Sequence, residues 1–293
     1  PSDITQDTDA GSCDAVVTYT APVGTDNCPN PTTVLGSGLA SGATFPLGAT
    51  VNSYTVTDAS GNEASCTFTV TIEDNENPTI SCPSDVNVNN DNGVCGATVT
   101  YSVTTSDNCT GETLNQTAGQ ASNTVFPIGT TTNTFVVTDG SGNTATCSFD
   151  VTVTDAELPV ITCPSDITQD TDANSCDAVV NFTAPTGTDN CPGATTVLGA
   201  GGLASGSTFP LGATTNTYTV TDASGNEASC TFTVTIEDNE DPTITCPSNI
   251  SVNNDSGVCG ATVNYSVTAS DNCTGETLNP VSYTHLRAHE TAM

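Results

Sequence analysis

The chain repeats itself, and this repetition limits its fold more than any other feature of the sequence. The string that begins at Pro1 returns at Pro164, and the string that begins at Cys66 returns at Cys230, so near-identical copies lie 163–164 residues apart. A looser match at about half that distance is marked by Cys13, Cys95, Cys176 and Cys259. The sequence therefore predicts two alternating repeat types of about 80 residues each.

We predict four repeats followed by a tail. The predicted bounds are residues 1–78 for repeat one, 79–159 for repeat two, 160–242 for repeat three and 243–279 for repeat four. Repeat one lacks its opening Cys, and repeat four is cut short. Residues 280–293 break the pattern and hold the only Arg, both His and the only Met. Because this tail resembles a translated sequencing adapter, we predict that it is non-native and exclude it from the fold.

Alternating apolar and polar residues predict β-strands within each repeat. Cys66–Ile72 and Cys95–Tyr101 both alternate in this way, Asp58–Asn62 has the composition of a tight turn, and Phe45–Gly48 is a short edge segment. Roughly seven short strands per repeat and no helix signal predict an all-β fold, a tandem array of immunoglobulin-like β-sandwiches stapled by disulfides. The inward residues predicted for the first of these strands are Phe68, Val70 and Ile72.

The charge balance excludes several classes of partner. There are 33 acidic residues against one basic residue, which gives a net charge of −32. Nothing in the array could neutralise nucleic-acid phosphates or an anionic membrane surface. No apolar run is long enough to span a bilayer, so we predict no membrane insertion in this segment. With so few basic side chains, the natural counterion is a dissolved cation, and outside a cell calcium is the first candidate.

The cysteines indicate an oxidising compartment. Fourteen Cys recur at fixed spacing, and none forms the C-x-x-C pair typical of zinc or thioredoxin-like sites. Regularly spaced Cys without basic neighbours are typical of disulfides, which predicts a protein that is secreted or displayed at the cell surface. A repeat of this size also has a small core, so disulfides are needed to stabilise it.

Several ordered motifs resemble the hyalin repeat (HYR) family. In repeat three they are Ile161–Ile167, Thr188–Cys191, Ser207–Gly212, Thr221–Asn226 and Cys230–Val234. The resemblance covers every repeat, that is, residues 1–279. It implies an immunoglobulin-like fold, extracellular placement, tandem use and a role in adhesion or matrix, and it implies no catalytic residues.

The resemblance also implies one disulfide per repeat. Simpler members of the family keep only the first and the last Cys, and in an immunoglobulin-like topology the first and last strands are parallel neighbours. We therefore expect Cys82 to bond Cys147 and Cys163 to bond Cys230.

The two middle cysteines of a repeat leave two alternatives. Cys176 starts the second strand and Cys191 follows its end, so an extended chain would hold them too far apart for a disulfide. A chain that turns back at Pro185–Gly187 would allow Cys176–Cys191 and likewise Cys95–Cys109, which is the pairing that we favour. Otherwise the second Cys of one repeat bonds the third Cys of the next.

Acidic residues gather where one repeat ends and the next begins, and we predict calcium sites there. Each site would combine the end of one repeat, two loops of the following repeat and the first turn of the preceding repeat, because calcium takes about 6–8 oxygen ligands. The alternative is that Asp and Asn are simply favoured in turns. The predicted ligands are Asp7, Asp9, Glu73, Asp74, Asn75, Glu76, Asp107, Asn108, Asp139, Asp155, Glu157, Asp189, Asp222, Glu237, Asp238, Glu240, Asp241 and Asp271.

These observations favour a structural function. We predict a calcium-stiffened rod or fibre at a cell surface or in a matrix, with neighbouring repeats and other copies of the chain as partners. The rival is an adhesin stalk or binding module that recognises a glycan or a protein. Aromatic residues make up only 5% and fall mostly at inward positions, which favours the rod. There is no His or Lys outside the tail, so we predict no enzymatic activity.

Overall fold

The computed structural model describes residues 1–279, which form two compact units. The first unit is Pro1–Ala156 and contains repeat one and nearly all of repeat two. The second unit begins at Glu157 and contains repeat three and the start of repeat four. The predicted non-native tail, residues 280–293, lies outside the described residues. In the part of the chain that is described, no helix is long and apolar enough to cross a membrane.

Repeat one is a sandwich of two sheets. Its strands are β1 (Ile4–Asp7), β2 (Asp14–Val17), β3 (Thr32–Ser37), β4 (Ala43–Pro46), β5 (Gly48–Thr57) and β6 (Glu63–Glu73). The larger sheet has the order β1-β6-β5-β3, and β2 pairs with β4 in the smaller sheet.

Repeat two has the same two sheets and one additional strand pair. Its strands are β7 (Thr79–Ser81), β8 (Val86–Asn89), β9 (Gly96–Val99), β10 (Thr104–Ser106), β11 (Thr113–Ala118), β12 (Thr124–Pro127), β13 (Gly129–Thr138) and β14 (Thr144–Thr154). The larger sheet has the order β11-β13-β14-β8, β9 pairs with β12, and β7 pairs with β10.

The second unit repeats this architecture. Repeat three contains β15 (Ile167–Asp170), β16 (Asp177–Val179), β17 (Thr195–Leu198), β18 (Thr208–Pro210), β19 (Gly212–Thr221) and β20 (Glu227–Glu237). Its sheets have the orders β15-β20-β19-β17 and β16-β18. In the described part of repeat four, β21 (Thr243–Thr245) pairs with β22 (Thr268–Ser270). The prediction of an all-β fold built from tandem β-sandwiches is confirmed.

In the larger sheet of each complete sandwich, the strand that comes first in sequence lies parallel to the last strand. β1 runs beside β6, with Ile4 opposite Val70, and β8 and β15 pair with β14 and β20 in the same way. Parallel neighbours end at the same edge of a sheet, so the turn after β1 lies beside the linker after β6. The N–H of Thr8 donates to the Glu73 carbonyl at 2.9 Å and fixes the two segments together.

Disulfides close the sandwiches of repeats two and three from within. Cys82 bonds Cys147 in repeat two, and Cys163 bonds Cys230 in repeat three. These are the pairs that the family resemblance implied. Each bond joins the segment that precedes the first long strand to the last long strand of the same repeat.

The cores are small and are built from alternating residues. Phe68, Val70 and Ile72 of β6 are buried, as the alternation predicted, while the intervening Thr residues point outward. Phe45 of the short edge strand β4 is fully buried and contributes to the same cluster. Each of the three clusters contains only seven buried hydrophobic residues. Cores of this size explain why each repeat depends on covalent cross-links.

A buried asparagine recurs at the same place in each sandwich. Asn52, Asn133 and Asn216 are fully buried in the middle of β5, β13 and β19. The Oδ1 of Asn52 accepts the N–H of Leu39 at 2.7 Å, and the Oδ1 of Asn216 accepts the N–H of Leu203 at 2.7 Å. Each Asn thus anchors a loop that crosses the edge of the core. The sequence analysis did not single out these residues, because Asn is common throughout the chain.

Replacing Asn216 should loosen the loop at Leu203. Asn216→Ala removes the acceptor of the Leu203 N–H, so we expect a loss of about 1–3 kcal/mol from the local free energy of unfolding. Hydrogen exchange measured by mass spectrometry would then be faster at the Leu203 amide. Thr215→Ala, an exposed change on the same strand, is the matched control. Equal exchange at Leu203 in the two variants would contradict the anchoring role.

Candidate metal centre

Three aspartates meet where repeat one joins repeat two. Asp74 follows β6, Asp107 follows β10 and Asp139 follows β13. One carboxylate oxygen of each lies within 4.8 Å of the others. Asp74 and Asp139 are only 5% and 6% exposed, so water screens their charges poorly. All three are among the predicted ligands, and together they form what we call the junction cluster.

Asp139 is held by the tight turn that follows β13. Its Oδ1 accepts the backbone N–H groups of Ser141, Gly142 and Asn143 at 2.7–2.9 Å. Its Oδ2 accepts the side-chain amide of Asn143 at 2.8 Å. Burial opposes ionisation of this carboxyl, but the donors outweigh burial, so the pKa of Asp139 is lowered below its ordinary value. The turn therefore keeps Asp139 charged.

Asp74 is fixed by groups from both sides of the junction. Its Oδ1 accepts the N–H of Glu76 at 3.2 Å and the side-chain amide of Asn108 at 3.3 Å. The Nδ2 of Asn143 donates to the backbone carbonyl of Asp74 at 3.0 Å. Asn143 therefore contacts both Asp74 and Asp139 and holds them at a fixed separation.

Asn108 bridges the two repeats through its side-chain amide. Its Nδ2 donates to the carbonyl of Ser12 at 2.9 Å and lies 3.5 Å from the hydroxyl of Thr8, both in the first turn of repeat one. The Oδ1 atoms of Asn108 and Asp107 are buried and have no hydrogen-bond donor. A buried acceptor without a donor costs about 1–3 kcal/mol, which a bound cation would offset.

The oxygens of the junction cluster fit a hard cation. Carboxylate and amide oxygens are the ligands that calcium takes in proteins. Residues 1–279 contain no Lys, Arg or His, so no side-chain cation of the described chain can neutralise the cluster. The two buried Oδ1 atoms without donors add acceptors that a cation could satisfy.

The second unit repeats the arrangement around Asp238, which follows β20. The Nδ2 of Asn272 donates to Asp238 Oδ1 at 3.1 Å, to the Ser175 carbonyl at 2.9 Å and to the Thr171 hydroxyl at 3.1 Å. The Oδ1 atoms of Asp271 and Asn272 are buried without a donor. The same contacts at two separate places show that the pattern belongs to the repeat.

Two further predicted ligands in repeat three keep this local geometry. Asp222 occupies the position of Asp139, its Oδ1 accepts the N–H groups of Ser224 and Asn226 at 2.8 Å, and its Oδ2 accepts the Asn226 amide. Burial raises the pKa of Asp222, as it does for Asp139. These donors lower the pKa by more, so the net shift is downward. The Oδ2 of Asp189 accepts the N–H of Cys191, and its Oδ1 is buried without a donor.

Several other predicted ligands serve the turns instead of the cluster. Asp7 accepts the side-chain amide of Asn75 at 2.9 Å, and Glu76 accepts the N–H of Gly11 at 3.1 Å. The Oδ2 of Asp9 accepts a backbone N–H of β2 at 2.9 Å. These bonds tie the first turn of repeat one to the linker and hold the frame around the cluster.

The remaining predicted ligands are dispersed over the two units. Glu240 accepts the N–H of Asn174 at 3.2 Å, as Glu76 does with Gly11. Asp241 lines a polar cavity with Asp271. Glu73 and Glu237 are exposed at the ends of β6 and β20. Asp155 is buried after β14, and Glu157 is the first residue of the second unit.

Asn143 and Ser12 were missed by the sequence analysis. A usable signal exists for Asn143, because Asp139–Asn143 and Asp222–Asn226 share the spacing Asp-x-Ser-Gly-Asn. Ser12 acts through its backbone carbonyl, which leaves no trace in the choice of side chain.

The predicted disulfides Cys95–Cys109 and Cys176–Cys191 are wrong. Cys109 instead bonds Cys13 of repeat one, and Cys176 bonds Cys273 of repeat four. In both cases the second Cys of one repeat bonds the third Cys of the next, which is the other alternative. Cys95 and Cys191 are disulfide-bonded as well. The free thiols among the described residues are Cys28, Cys66, Cys246 and Cys259.

Cys95 and Cys109 cannot bond each other because β9 and β10 carry the chain between opposite ends of the repeat. Just before Cys95, the N–H of Asn90 donates to the carbonyl of Thr154, which ends β14. Cys109 lies at the other end, beside the junction cluster. At about 3.3 Å per residue, the four residues of β9 alone span about 13 Å. The Cα atoms of the observed Cys13–Cys109 pair are 4.7 Å apart.

The sequence matches one known domain family three times. The family is described as the HYR domain, and the matches cover residues 1–72, 73–153 and 154–236.

Curated relatives include two hyalins. Hyalin of Strongylocentrotus purpuratus is 36% identical over 285 residues, which cover 94% of this chain and 24% of that protein. Hyalin of Lytechinus variegatus is 36% identical over 279 residues, which cover 92% of this chain and 52% of that protein. The chain thus spans between a quarter and about half of the length of these relatives.

Solved structures with a similar chain path include three domains, EC1-3, of Drosophila N-cadherin. The alignment covers 81% of this chain and 98% of that chain, with 12% sequence identity and a TM-score of 0.34. At this TM-score we base no argument on the similarity.

Acid should weaken the turn that holds Asp139. Because the pKa of this carboxyl is lowered in the folded state, its stabilising effect is fully present above the unfolded-state value of about 3.9. The effect is lost as the pH falls through the lower folded-state pKa. We expect the melting temperature to drop below about pH 4, and Asp139→Asn should show a shallower drop.

Glu112→Gln also removes one negative charge, but from an exposed position, and it serves as the control for the acid titration. Melting temperatures recorded by circular dichroism over the acidic range would test the assignment. If Asp139→Asn and Glu112→Gln melt with the same dependence on pH as the parent chain, the assignment is wrong.

Proposed function

The chain belongs to the HYR domain family, and we propose that it is a structural, non-enzymatic part of an extracellular array whose junctions are held by calcium. The observation that supports this most directly is the junction cluster of Asp74, Asp107 and Asp139, with the donorless oxygens of Asp107 and Asn108 beside it. A calcium ion bound there would join the end of repeat one to two loops of repeat two.

Electrostatics explains what the ion would change. Two unit charges 4 Å apart repel by about 1 kcal/mol in water and by about 4 kcal/mol near a protein surface. The carboxylate oxygens of the cluster lie within 4.8 Å of one another, and two of the three residues are buried. Without a cation the cluster pushes the two repeats apart, whereas with calcium the same charges attract the ion and pull them together.

The chemistry of the donors favours calcium over other common ions. The cluster offers carboxylate and amide oxygens, whereas zinc sites use Cys and His ligands. The described residues contain no His, and Cys109 beside the cluster is already in a disulfide. Magnesium demands near-octahedral geometry and keeps several waters, whereas calcium accepts irregular sets of about 6–8 oxygens.

Extracellular placement is supported by the disulfides and by the relatives. The Cys13–Cys109, Cys82–Cys147, Cys163–Cys230 and Cys176–Cys273 bonds persist only in an oxidising compartment. Two of the relatives are hyalins. We propose that neighbouring repeats, and other copies of the chain in a fibre, are the partners of this segment.

The placement of the aromatic rings favours a structural array over a glycan-binding module. Tyr101 packs edge-on against Phe126, Phe135 and Phe149 in the core of repeat two. Among the large, highly exposed hydrophobic side chains of residues 1–279, Tyr265 alone is aromatic. A surface that stacks against sugar rings needs several exposed aromatics, and the sandwiches keep theirs inside.

Calcium should raise the melting temperature of the chain. An ion that binds only the folded state stabilises it by about 2.7 kcal/mol at a hundredfold excess over the dissociation constant. Melting in calcium and in chelator, together with calorimetric titration, measures this effect. Asp74→Asn and Asp107→Asn should each remove binding at the first cluster, while Glu112→Gln, which removes one exposed charge, should leave it intact.

Equal melting in calcium and in chelator would contradict the proposal. So would an Asp107→Asn variant that binds the same number of ions as Glu112→Gln. Because both variants lose one negative charge, a difference between them reports the site and not the net charge.

Calcium should also restrict motion at the junctions. Small-angle scattering of the full chain is expected to show a longer particle with a narrower spread of sizes in calcium than in chelator. Asp107→Asn should reduce this change. Identical scattering in the two conditions would show that the ion, even where it binds, does not stiffen the array.

A further inference from the structure

The junction cluster adjoins a disulfide that joins the same two repeats. In the first unit, Cys109 directly follows Asp107 and Asn108, and Cys13 directly follows Ser12. The Cα atoms of Cys13 and Cys109 are 4.7 Å apart. The loop that carries Asp107 and Asn108 is therefore covalently tied to the first turn of repeat one.

Hydrogen bonds link the same two backbone segments beside the disulfide. The N–H of Cys109 donates to Asp107 Oδ2 at 3.1 Å, which orients the carboxylate. The amide of Asn108 reaches the Ser12 carbonyl at 2.9 Å. Cys109 is 4% exposed and directly follows the loop residues Asp107 and Asn108. The positions of the Asp107 and Asn108 oxygens thus depend on where Cys13 holds Cys109.

The second unit contains the same disulfide and amide contacts. Cys176 bonds Cys273, Ser175 accepts the amide of Asn272, and Asp271 precedes Asn272 in the loop. Among the described residues, Asp238 and Asp271 are the counterparts of Asp74 and Asp107, and no three-acid cluster forms there. The two disulfides have sequence separations of 96 and 97 residues, so the cross-repeat bond recurs at nearly the same spacing.

We propose that the cross-repeat disulfide Cys13–Cys109 is energetically coupled to cation binding at the adjacent junction cluster. Reduction of the disulfide weakens the metal site, and the bound cation protects the disulfide from reduction. This inference rests on the proposed calcium function. It adds that the redox state of the disulfide sets the affinity of the junction for the cation.

The coupling arises from the free-energy cost of ordering the loop that carries Asp107 and Asn108. The cation needs Asp74 of the linker and Asp107 of repeat two at fixed positions. With the disulfide in place, the loop is already ordered against repeat one, and binding has little conformational entropy to overcome. Without it, the same loop must be ordered when the ion binds, so the affinity falls.

The redox step is an ordinary thiol–disulfide exchange. A thiolate of a small dithiol attacks one cysteine sulfur, the S–S bond breaks, and a mixed disulfide forms. The second thiol of the dithiol then displaces the other half as it closes a cyclic disulfide. Two electrons pass from the dithiol to the protein, which gains two thiols.

Linkage makes the proposal quantitative. The factor by which the disulfide strengthens calcium binding must equal the factor by which calcium shifts the thiol–disulfide equilibrium. Coupling between sites is typically about 5–150-fold, and we expect about tenfold here. The two factors come from separate measurements, so their agreement is itself a test.

The first experiment uses the unmodified full chain. It is equilibrated in mixtures of reduced and oxidised dithiol, with calcium or with chelator, and its free thiols are then alkylated. Because the chain has a single basic residue, a glutamate-specific protease replaces trypsin before mass spectrometry. Calcium should shift the reduction midpoint of Cys13–Cys109 by about tenfold in dithiol ratio. The internal controls are Cys82–Cys147 and Cys163–Cys230, which join strands of one repeat and should shift much less.

The second experiment measures affinity directly. In the double variant Cys13→Ser with Cys109→Ser, calorimetry should show calcium binding at the junction cluster weakened about tenfold. The double variant Cys176→Ser with Cys273→Ser removes the cross-repeat disulfide of the second unit and is the matched control, which should leave this binding unchanged.

The outcomes separate the two proposals. If calcium binds and the double variant Cys13→Ser with Cys109→Ser binds it as tightly as the parent, the coupling is wrong while the metal function stands. The same holds if all four disulfides shift equally, because that pattern reports only global stabilisation. If the parent chain binds no calcium, the proposed function fails and the coupling fails with it.

Discussion

Carboxylates must be accommodated in this chain without any cationic side chain, and much of the structure follows from that constraint. Across residues 1–279 there is no Lys or Arg, so backbone N–H groups and side-chain amides take their place. Asp58, Asp139 and Asp222 each sit in a turn that donates several hydrogen bonds to one carboxylate. Gly, Ser and Asn therefore supply the hydrogen-bond donors that basic residues supply in other proteins. The acceptors that they leave unsatisfied include those of the proposed metal site.

Stability is divided between small cores and covalent links. Seven buried hydrophobic residues per sandwich cannot offset much conformational entropy. A buried Asn therefore supports each sandwich, and an in-repeat disulfide supports those of repeats two and three. The cross-repeat disulfides have a different place, since they join a loop of one repeat to a turn of its neighbour. Sandwich and junction are thus stabilised by separate sets of bonds.

The fold could be predicted because strand alternation is local. Phe68, Val70 and Ile72 are inward as the pattern requires, and the meeting of Asp74, Asp107 and Asp139 follows from loops that share one end of a sandwich. The pairing of Cys109 could not be predicted in this way. Alternation identifies β9 and β10, but it does not say at which end of the repeat the next loop emerges. The role of Asn108 was only partly visible, because its partners are a backbone carbonyl and a hydroxyl of another repeat.

The cross-repeat disulfides also determine how the chain would bear a pulling force. Tension applied along the backbone passes through the Cys13–Cys109 bond and bypasses the intervening segment. That segment represents a sequence separation of 96 residues, or roughly 300 Å of contour length at about 3.3 Å per residue. Strands β2–β6 of repeat one are therefore shielded from the load, whereas β1 precedes Cys13 and carries it. The segment between Cys176 and Cys273 is shielded in the same way. A filament with such bonds would keep these segments at a fixed length while oxidised and would release a large hidden length on reduction.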